Sequence, residues 1–489
     1  MKFISKRTWR ILIPVIIVAV CLALLFIYKA CDTIAGIRYS RDLAYEVNED
    51  GTCRITGIGR CENFNVRIPE YIGKHKVTEI GDGAFLDSET ITGITMPNTV
   101  VRIGESAFSG CCNLKSVTLP DSLVSIGESA FSGCYMLDSV TLPNSLVSIG
   151  NEAFARCTGI GRSITVPDSV TDIGKGAFSK CLHLESITLP SHITSISERM
   201  FSGCKRLTNI TIPGSVTTIE SNAFEMCEEL ENITIPENVT VIGNNAFDSC
   251  THLESIIIPA SVTTLGDGVF SGCVRLVSVT LPAGITGIGN RSFNGCKNFT
   301  EFTVPEGVTS IGDHAFENCD KLTTITLPES VTSIGDHAFQ NCDKLTTITL
   351  PESLTSIGNG AFSNCDSLAS ITIPGGVTRI NQHTFYYCEK LASVTISDGV
   401  TSIDNRAFSN CYALESITIP QSVTHIGKAA FNECQNLKNV FFENPEGWWI
   451  SDSDTATSGT SITTSGMSNP KACAGYLTTH YDDKNWNRS

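Results

Sequence analysis

Along most of the chain, large apolar residues recur with a fixed, mixed period. Phe stands at 85, 108, 131, 154, 178, 201, 224, 247, 270, 293, 316, 339, 362, 385, 408 and 431, always 23 residues apart except for one step of 24. Around each Phe the order is constant. In Ser310-Ile311-Gly312-Asp313-His314-Ala315-Phe316-Glu317-Asn318-Cys319-Asp320-Lys321-Leu322-Thr323-Thr324-Ile325-Thr326-Leu327-Pro328, the residues Ala315, Phe316, Cys319 and Leu322 fall three to four apart. That spacing predicts one face of a short helical turn. Ile325 and Leu327 alternate with Thr324 and Thr326, which predicts a short strand with one face buried, and Pro328 ends it for want of an N–H. One such unit cannot bury its own Phe, Leu and Ile; stacked units can. The predicted architecture is therefore a repeat solenoid of about sixteen 23-residue units, each a short parallel strand plus a short helical turn, rather than a set of globular domains.

The flanks depart from the period. Residues 11–28, ILIPVIIVAVCLALLFIY, are 18 residues without a charge, preceded by Lys2, Lys6, Arg7 and Arg10 and no acid. The length is at the lower edge for a membrane-spanning helix. The basic flank places residues 1–10 in the cytoplasm and the rest outside. The competing readings are a cleaved signal, with Thr33-Ile34-Ala35 as its best cut, and lipidation at Cys21 or Cys31. Residues 29–50 read as a stalk, 51–84 as an amino-terminal cap with an insertion near Tyr71 to Lys76, 85–442 as the repeat array and 443–489 as a carboxy-terminal cap. Within the closing cap, the Ser/Thr-rich tract 451–469 reads as a loop, with a linker as the alternative.

The order Ile-Gly, Ala-Phe, Cys, Leu, Ile-Thr-Leu-Pro resembles the leucine-rich repeats of BspA-type bacterial surface proteins over roughly residues 62–442. The closing segment, with Glu446-Gly447-Trp448-Trp449, Tyr476-Leu477-Thr478-Thr479 and Trp486, is similar to the end of many such arrays. The resemblance implies a leucine-rich rod displayed outside the cell, adhering to extracellular proteins or glycans, host matrix or other cells. The alternative is a structural or self-associating envelope protein without a foreign ligand.

Composition and charge narrow the chemistry. The 489-residue chain carries a net charge of −16; its first thirty residues hold five basic groups and no acid, so the remainder stands at −21. Such a body is a poor binder of nucleic acid. Enzyme activity is not expected: acids recur on a periodic surface with no deep pocket implied, and units 309–330 and 332–353 differ only at Glu317 against Gln340. No cofactor or metal is expected.

Of the 21 cysteines, fifteen follow Phe by three residues. The ladder that includes Cys134, Cys157, Cys181, Cys204, Cys227, Cys250, Cys273, Cys296, Cys319, Cys342 and Cys365 reads as small buried thiols at a fixed core site. Neighbours ~4.8 Å apart and parallel do not meet disulfide geometry, and no Cys-x2-Cys pair offers a zinc site. Cys53 and Cys61 form a candidate disulfide in the amino-terminal cap. The Gly four before Phe is present in 12 of 16 units, replaced by Ser197, Glu220, Asn381 and Asp404, so a strict left-handed backbone is not expected there. His314 and His337 occupy equivalent positions and read as solvated surface residues. The candidate binding surface is a mid-strand Thr column, including Thr188, Thr211, Thr234, Thr280, Thr303, Thr326, Thr349 and Thr372, beside a second column of Ser and Asn. Strand propensity alone also accounts for Thr there; extended faces of this kind are also what solenoids offer to partners. Tyr135, Tyr386, Tyr387 and Tyr412 are the candidate aromatic anchors off the strand.

Overall fold

The computed structural model describes residues 40, 42–60, 64–453 and 456–488. The apolar stretch 11–28 lies outside them. Among the described residues no helix is long and apolar enough to cross a membrane.

The chain winds into a β-solenoid in which each unit contributes two short strands, where the sequence pattern showed one. The first precedes the Gly, as in Ser310–Ile311, and the second follows the Leu, as in Thr324–Thr326. Both pair in parallel with their counterparts in the next unit, in strict register: Ile311↔Ile334 and Ile325↔Ile348. The two-residue strand escaped sequence reading because its pattern, a polar residue and an Ile before Gly, is too short to show alternation. The register follows from the 23-residue period, since any slip would turn every buried Ile toward water.

The segment around Phe is not a helical turn. In all sixteen units the residues two before and two after Phe are left-handed, with φ from 51° to 64° and from 55° to 75° respectively. Most are not glycine: His314, Arg406 and Ala429 hold the first position, Asn318, Tyr387 and Glu433 the second. This alternation turns the N–H groups of three alternate residues toward the next unit. Gly83, Phe85 and Asp87 donate to the carbonyls of Glu105, Ala107 and Ser109 at 2.8, 2.7 and 2.8 Å. The intervening N–H groups close turns within the unit, as Cys111 N–H does on Phe108 O at 3.1 Å. Three-to-four spacing therefore marks a shared buried side without a helix to carry it. A lone non-Gly left-handed residue costs ~1–2 kcal/mol, and here the inter-unit ladder offsets that cost.

The glycine four before Phe has its own reason, and it is not left-handed. A Cβ on Gly335 would stand 2.6 Å from Asp313 N and 2.7 Å from Gly312 C, and would also strike Asp313 Oδ1. Close approach of stacked backbones selects glycine. Inside, the Phe rings form one column with centroids 5.1–6.2 Å apart and planes within 22° of parallel. All are buried. Offset stacking of this kind adds to the burial of each ring.

The ladder of first strands is interrupted after Asp172–Ile173, after Thr264–Leu265 and after Ser356–Ile357, every fourth unit. Two of these seams fall where the glycine is replaced by Ser197 and Asn381. There the side chains enter the gap: Asn381 Nδ2 donates to Ile357 O at 2.6 Å, and Ser197 Oγ to Gly174 O at 3.0 Å.

Both ends are closed. Ala44–Val47 pairs antiparallel with Cys53–Gly57, which joins the first ladder through His75–Ile80. The cap thus begins within the stretch read as a stalk. Tyr71–Ile72 folds back on His75 and Lys76 as a hairpin, the form taken by the insertion. At the other end Asn485–Arg488 covers His425–Ile426 antiparallel, Trp448–Ser451 adds beside it, and the helix Pro470–Gly475 packs on Asn439–Phe442. Thr460–Ser461 and the helix Thr464–Met467 give structure to the Ser/Thr-rich tract. Trp448 and Trp486 are buried beneath it.

Candidate functional site: the strand face and the thiol column

The second ladder carries the surface singled out from the sequence. Its strands read exposed-buried-exposed, as in Ser163–Thr165, Glu301–Thr303 and Thr324–Thr326. Thr188, Thr211, Thr234, Thr280, Thr303, Thr326, Thr349 and Thr372 are all exposed, and the column extends to Thr95, Thr118, Thr141, Thr165, Thr395 and Thr418. Parallel register stacks them in one row, with Ser186, Ser255, Ser278, Thr324, Ser370 and Ser393 in a second. Two apolar residues interrupt the Thr row: Ile257, 69% exposed, and Phe441 at its end, 47% exposed. In the sequence Ile257 is marked only by standing where the other units carry Thr.

A different Thr column, seven residues before Phe, is spent internally. The hydroxyls of Thr309, Thr332 and Thr355 donate to the carbonyls of Thr286, Thr309 and Thr332 at 3.0–3.1 Å. Beyond it, three residues before Phe, Asn and Asp make a side-chain ladder. Asn244, Asp267, Asn290, Asp313 and Asp336 each accept, through Oδ1, the backbone N–H of the equivalent residue in the next unit at 2.6–2.9 Å.

The fifteen cysteines after Phe are buried and aligned. Each thiol donates to the carbonyl of the Phe one unit earlier, from Cys111 on Phe85 O to Cys434 on Phe408 O, at 3.0–3.3 Å. The same Phe carbonyl already accepts the N–H of its own unit's Cys, as at Phe108. The thiol meets the second lone pair. This explains why the position is Cys rather than Ala, a role that residue size alone did not suggest. Burial pushes the thiols up, to about 12 for Cys111 and Cys204, so they are held as S–H donors. Cys53 is buried, its Sγ 3.7 Å from His75 O; Cys61, its candidate partner, lies outside the described residues.

His314 and His337 stack with ring centroids 5.1 Å apart and are half-buried rather than fully solvated. His314 Nδ1 meets Glu317 Oε2 at 2.9 Å. In the next unit Gln340 replaces that Glu, and His337 Nδ1 is buried without a partner. Tyr386, Tyr387 and Tyr412 form a half-buried edge-to-face cluster with His383, at 4.7–6.3 Å. Tyr135 stands apart, exposed. Among the described residues no group of His, Cys, Asp and Glu has the geometry of a metal site.

Two parallel ladders per unit, a Phe spine and hydrogen-bonded thiols define a bacterial-type leucine-rich solenoid. The model of the BspA type Leucine rich repeat region matches residues 78–162, 160–277, 264–390 and 355–463, and the chain belongs to this family. A leucine-rich repeat protein from Bacteroides ovatus is 33% identical over 78% of this chain and 94% of its own, with a TM-score of 0.63. A leucine rich cell surface protein from Faecalibacterium prausnitzii is 29% identical over 83% of this chain and 94% of its own, with a TM-score of 0.45. No curated protein matches the chain.

Proposed function

We propose that the protein is a surface-displayed recognition module, tethered to the cell membrane through residues 11–28 with the array outside, and that the Thr/Ser rows of the second ladder bind an extracellular protein or glycan. The observation that carries this reading is the Thr row itself: exposed hydroxyls at one repeated position, in paired register over units such as Thr303 and Thr326. The hydroxyls of Thr188, Thr211, Thr234, Thr280, Thr303, Thr326, Thr349 and Thr372 make no hydrogen bond to the fold. The Bacteroides and Faecalibacterium relatives, the latter described as a cell surface protein, add support. Repeat families of this kind act as non-catalytic scaffolds that bind other proteins.

The test is binding of the full chain to matrix proteins, mucins and intact cells across a salt series. Saturable binding that persists at ~0.3 M salt, where surface charge attraction is largely screened, supports the reading. Thr303→Glu, Thr326→Glu and Thr349→Glu together should then weaken binding by roughly tenfold or more. No saturable binding, or binding indifferent to these substitutions, would refute the strip.

A further inference from the structure

We infer that the seam between Thr264–Leu265 and Gly287–Ile288 is a second binding site, for a single neutral sugar residue, separate from the hydroxyl strip. Four independent features converge there. The outward position of the first ladder carries a side chain in the neighbouring units: Thr218, Val241, Thr264, Ser310, Ser333. At Gly287 that side chain is missing, and a hollow of about 420 Å³ opens in its place. Its size falls within the range of small-ligand sites.

The backbone is unspent along one wall. Gly266 and Gly312 donate to Ile242 O and Ile288 O at 2.9 Å, but no such bond joins Gly289 to Leu265, because the ladder is interrupted here. Thr309 and Thr263 donate N–H to Thr286 O and Thr240 O; Thr286 makes no matching bond to Thr263.

The lining then suits a pyranose. Leu265 is half-exposed, whereas its Ile counterparts before and after, Ile242 and Ile288, are buried, so it offers an apolar floor for a C–H face. Thr264, Thr286 and Ser310 bring hydroxyls to the rim, and Asp267 and Asn290 stand at one end. Asn290 N–H and Nδ2 both point to Asp267, at 2.8 and 3.4 Å, which orients the carboxylate. Asp267 is the one charged residue of the lining, so anionic sugars are disfavoured.

Finally, Ser292 stands before Phe293 where the adjacent units carry apolar Val269 and Ala315. It is 0% exposed, its Oγ lacks a partner, and it lies 3.1 Å from where a Cβ on Gly289 would stand. An unpaired buried hydroxyl is unfavourable unless something nearby uses it.

The experiment uses the full chain with methyl glycosides of glucose, galactose and mannose, N-acetylglucosamine, and galacturonate as the anionic control. Binding is read by saturation-transfer and chemical-shift titration. At least one neutral sugar should bind with a dissociation constant on the order of millimolar, and galacturonate more weakly. Gly287→Ser restores the side chain carried by neighbouring units; its Cβ meets only Ser310 Oγ closely, at 2.9 Å, so the fold is kept. It should weaken binding by roughly tenfold or more, with an unchanged thermal midpoint. Thr326→Glu, on the other ladder, should leave sugar binding unaltered even if it abolishes binding to proteins. No binding by any neutral sugar, equal binding of galacturonate, survival of binding in Gly287→Ser, or its loss in Thr326→Glu would each overturn the assignment.

Discussion

Replacing Gly335 by Ala tests why the solenoid keeps glycine four residues before Phe. The added Cβ would sit 2.6 Å from Asp313 N and 2.7 Å from Gly312 C, against an ordinary contact of ~3.4 Å or more. The neighbouring backbones must part by ~0.7–0.8 Å. That displacement stretches the Gly335 N–H bond to Ile311 O from 2.8 Å to beyond useful length. Forcing the group into unchanged stacking costs about 1–3 kcal/mol, while giving up one hydrogen bond costs about 1 kcal/mol. The variant should therefore open a seam and lose about 1–2 kcal/mol. In the natural array seams stand at Ser197 and Asn381, whereas Glu220 and Asp404 keep their N–H bonds to Ile196 O and Ile380 O at 2.9 and 2.8 Å, so a side chain there is accommodated in some units and opens a seam in others. The assay is hydrogen exchange by mass spectrometry on peptides covering 309–353, with urea unfolding beside it. Protection of the Gly335 amide should fall while that of Phe316 and Phe339 holds, since stability in repeats is set between neighbours. Unchanged protection with a stability within ~0.5 kcal/mol of the parent would refute the close-packing argument. His337→Gly is the control: its φ of 56° is left-handed, so glycine there should be neutral or stabilising.

Two further outcomes follow from the thiols and the acids. Iodoacetamide at pH 8 should label half-buried Cys112 and spare the fifteen ladder cysteines until denaturant is added, because burial holds Cys111 and Cys204 at about 12; rapid labelling of Cys319 in the folded chain, read by peptide mass, would contradict this. Burial and then the stacked Asp320 raise the Asp343 carboxyl in the folded state, and burial and then Asp343 do the same to Asp366. Folded protein therefore holds these protons to higher pH than unfolded chain. Their contribution is fully favourable below the unfolded value and is lost as pH rises through the folded one. Asp343→Asn should flatten the decline in stability from acid toward neutral pH, followed by thermal melts; a slope equal to the parent's would remove the assignment.

The repeat, its count and its buried columns were legible because a 23-residue period leaves only stacking as a way to cover Phe316, Leu322 and Ile325. The exposed Thr row was legible for the same reason, since alternation about buried Ile325 fixes where Thr326 points. What was illegible lies in the backbone. His314 and Asn318 give no sign in their side chains that both are left-handed, because the ladder to the next unit imposes that conformation. The replacements Ser197, Glu220, Asn381 and Asp404 already spoke against a left-handed backbone at Gly335, but the positive reason for glycine lies in Asp313 and Gly312, in another unit. The thiol's donor role needed the position of Phe293 O relative to Cys319, 26 residues away. Gly287 and Ile257 were visible as letters but acquire meaning only against the column each interrupts.

The left-handed alternation also gives the rod a direction. In every unit the N–H groups two before, at and two after Phe face the carboxy-terminal neighbour, and the carbonyls that receive them face back. Within this segment the peptide dipoles align, opposed in part by ladder N–H groups such as that of Gly335 that face back, and the segment's last N–H groups emerge at the carboxy-terminal end without a following unit. That end is where the closing cap brings its aspartates. Ala429 N–H ends on Asp482 O at 2.5 Å, Asn432 Nδ2 on Asp482 Oδ2 at 2.8 Å, and Asp452 and Asp483 line the same cleft. Asp452 and Asp483 are themselves paired with Lys484, so what closes this end is Asp482, whose backbone carbonyl and carboxylate take the donors of Ala429 and Asn432 that have no following unit to meet.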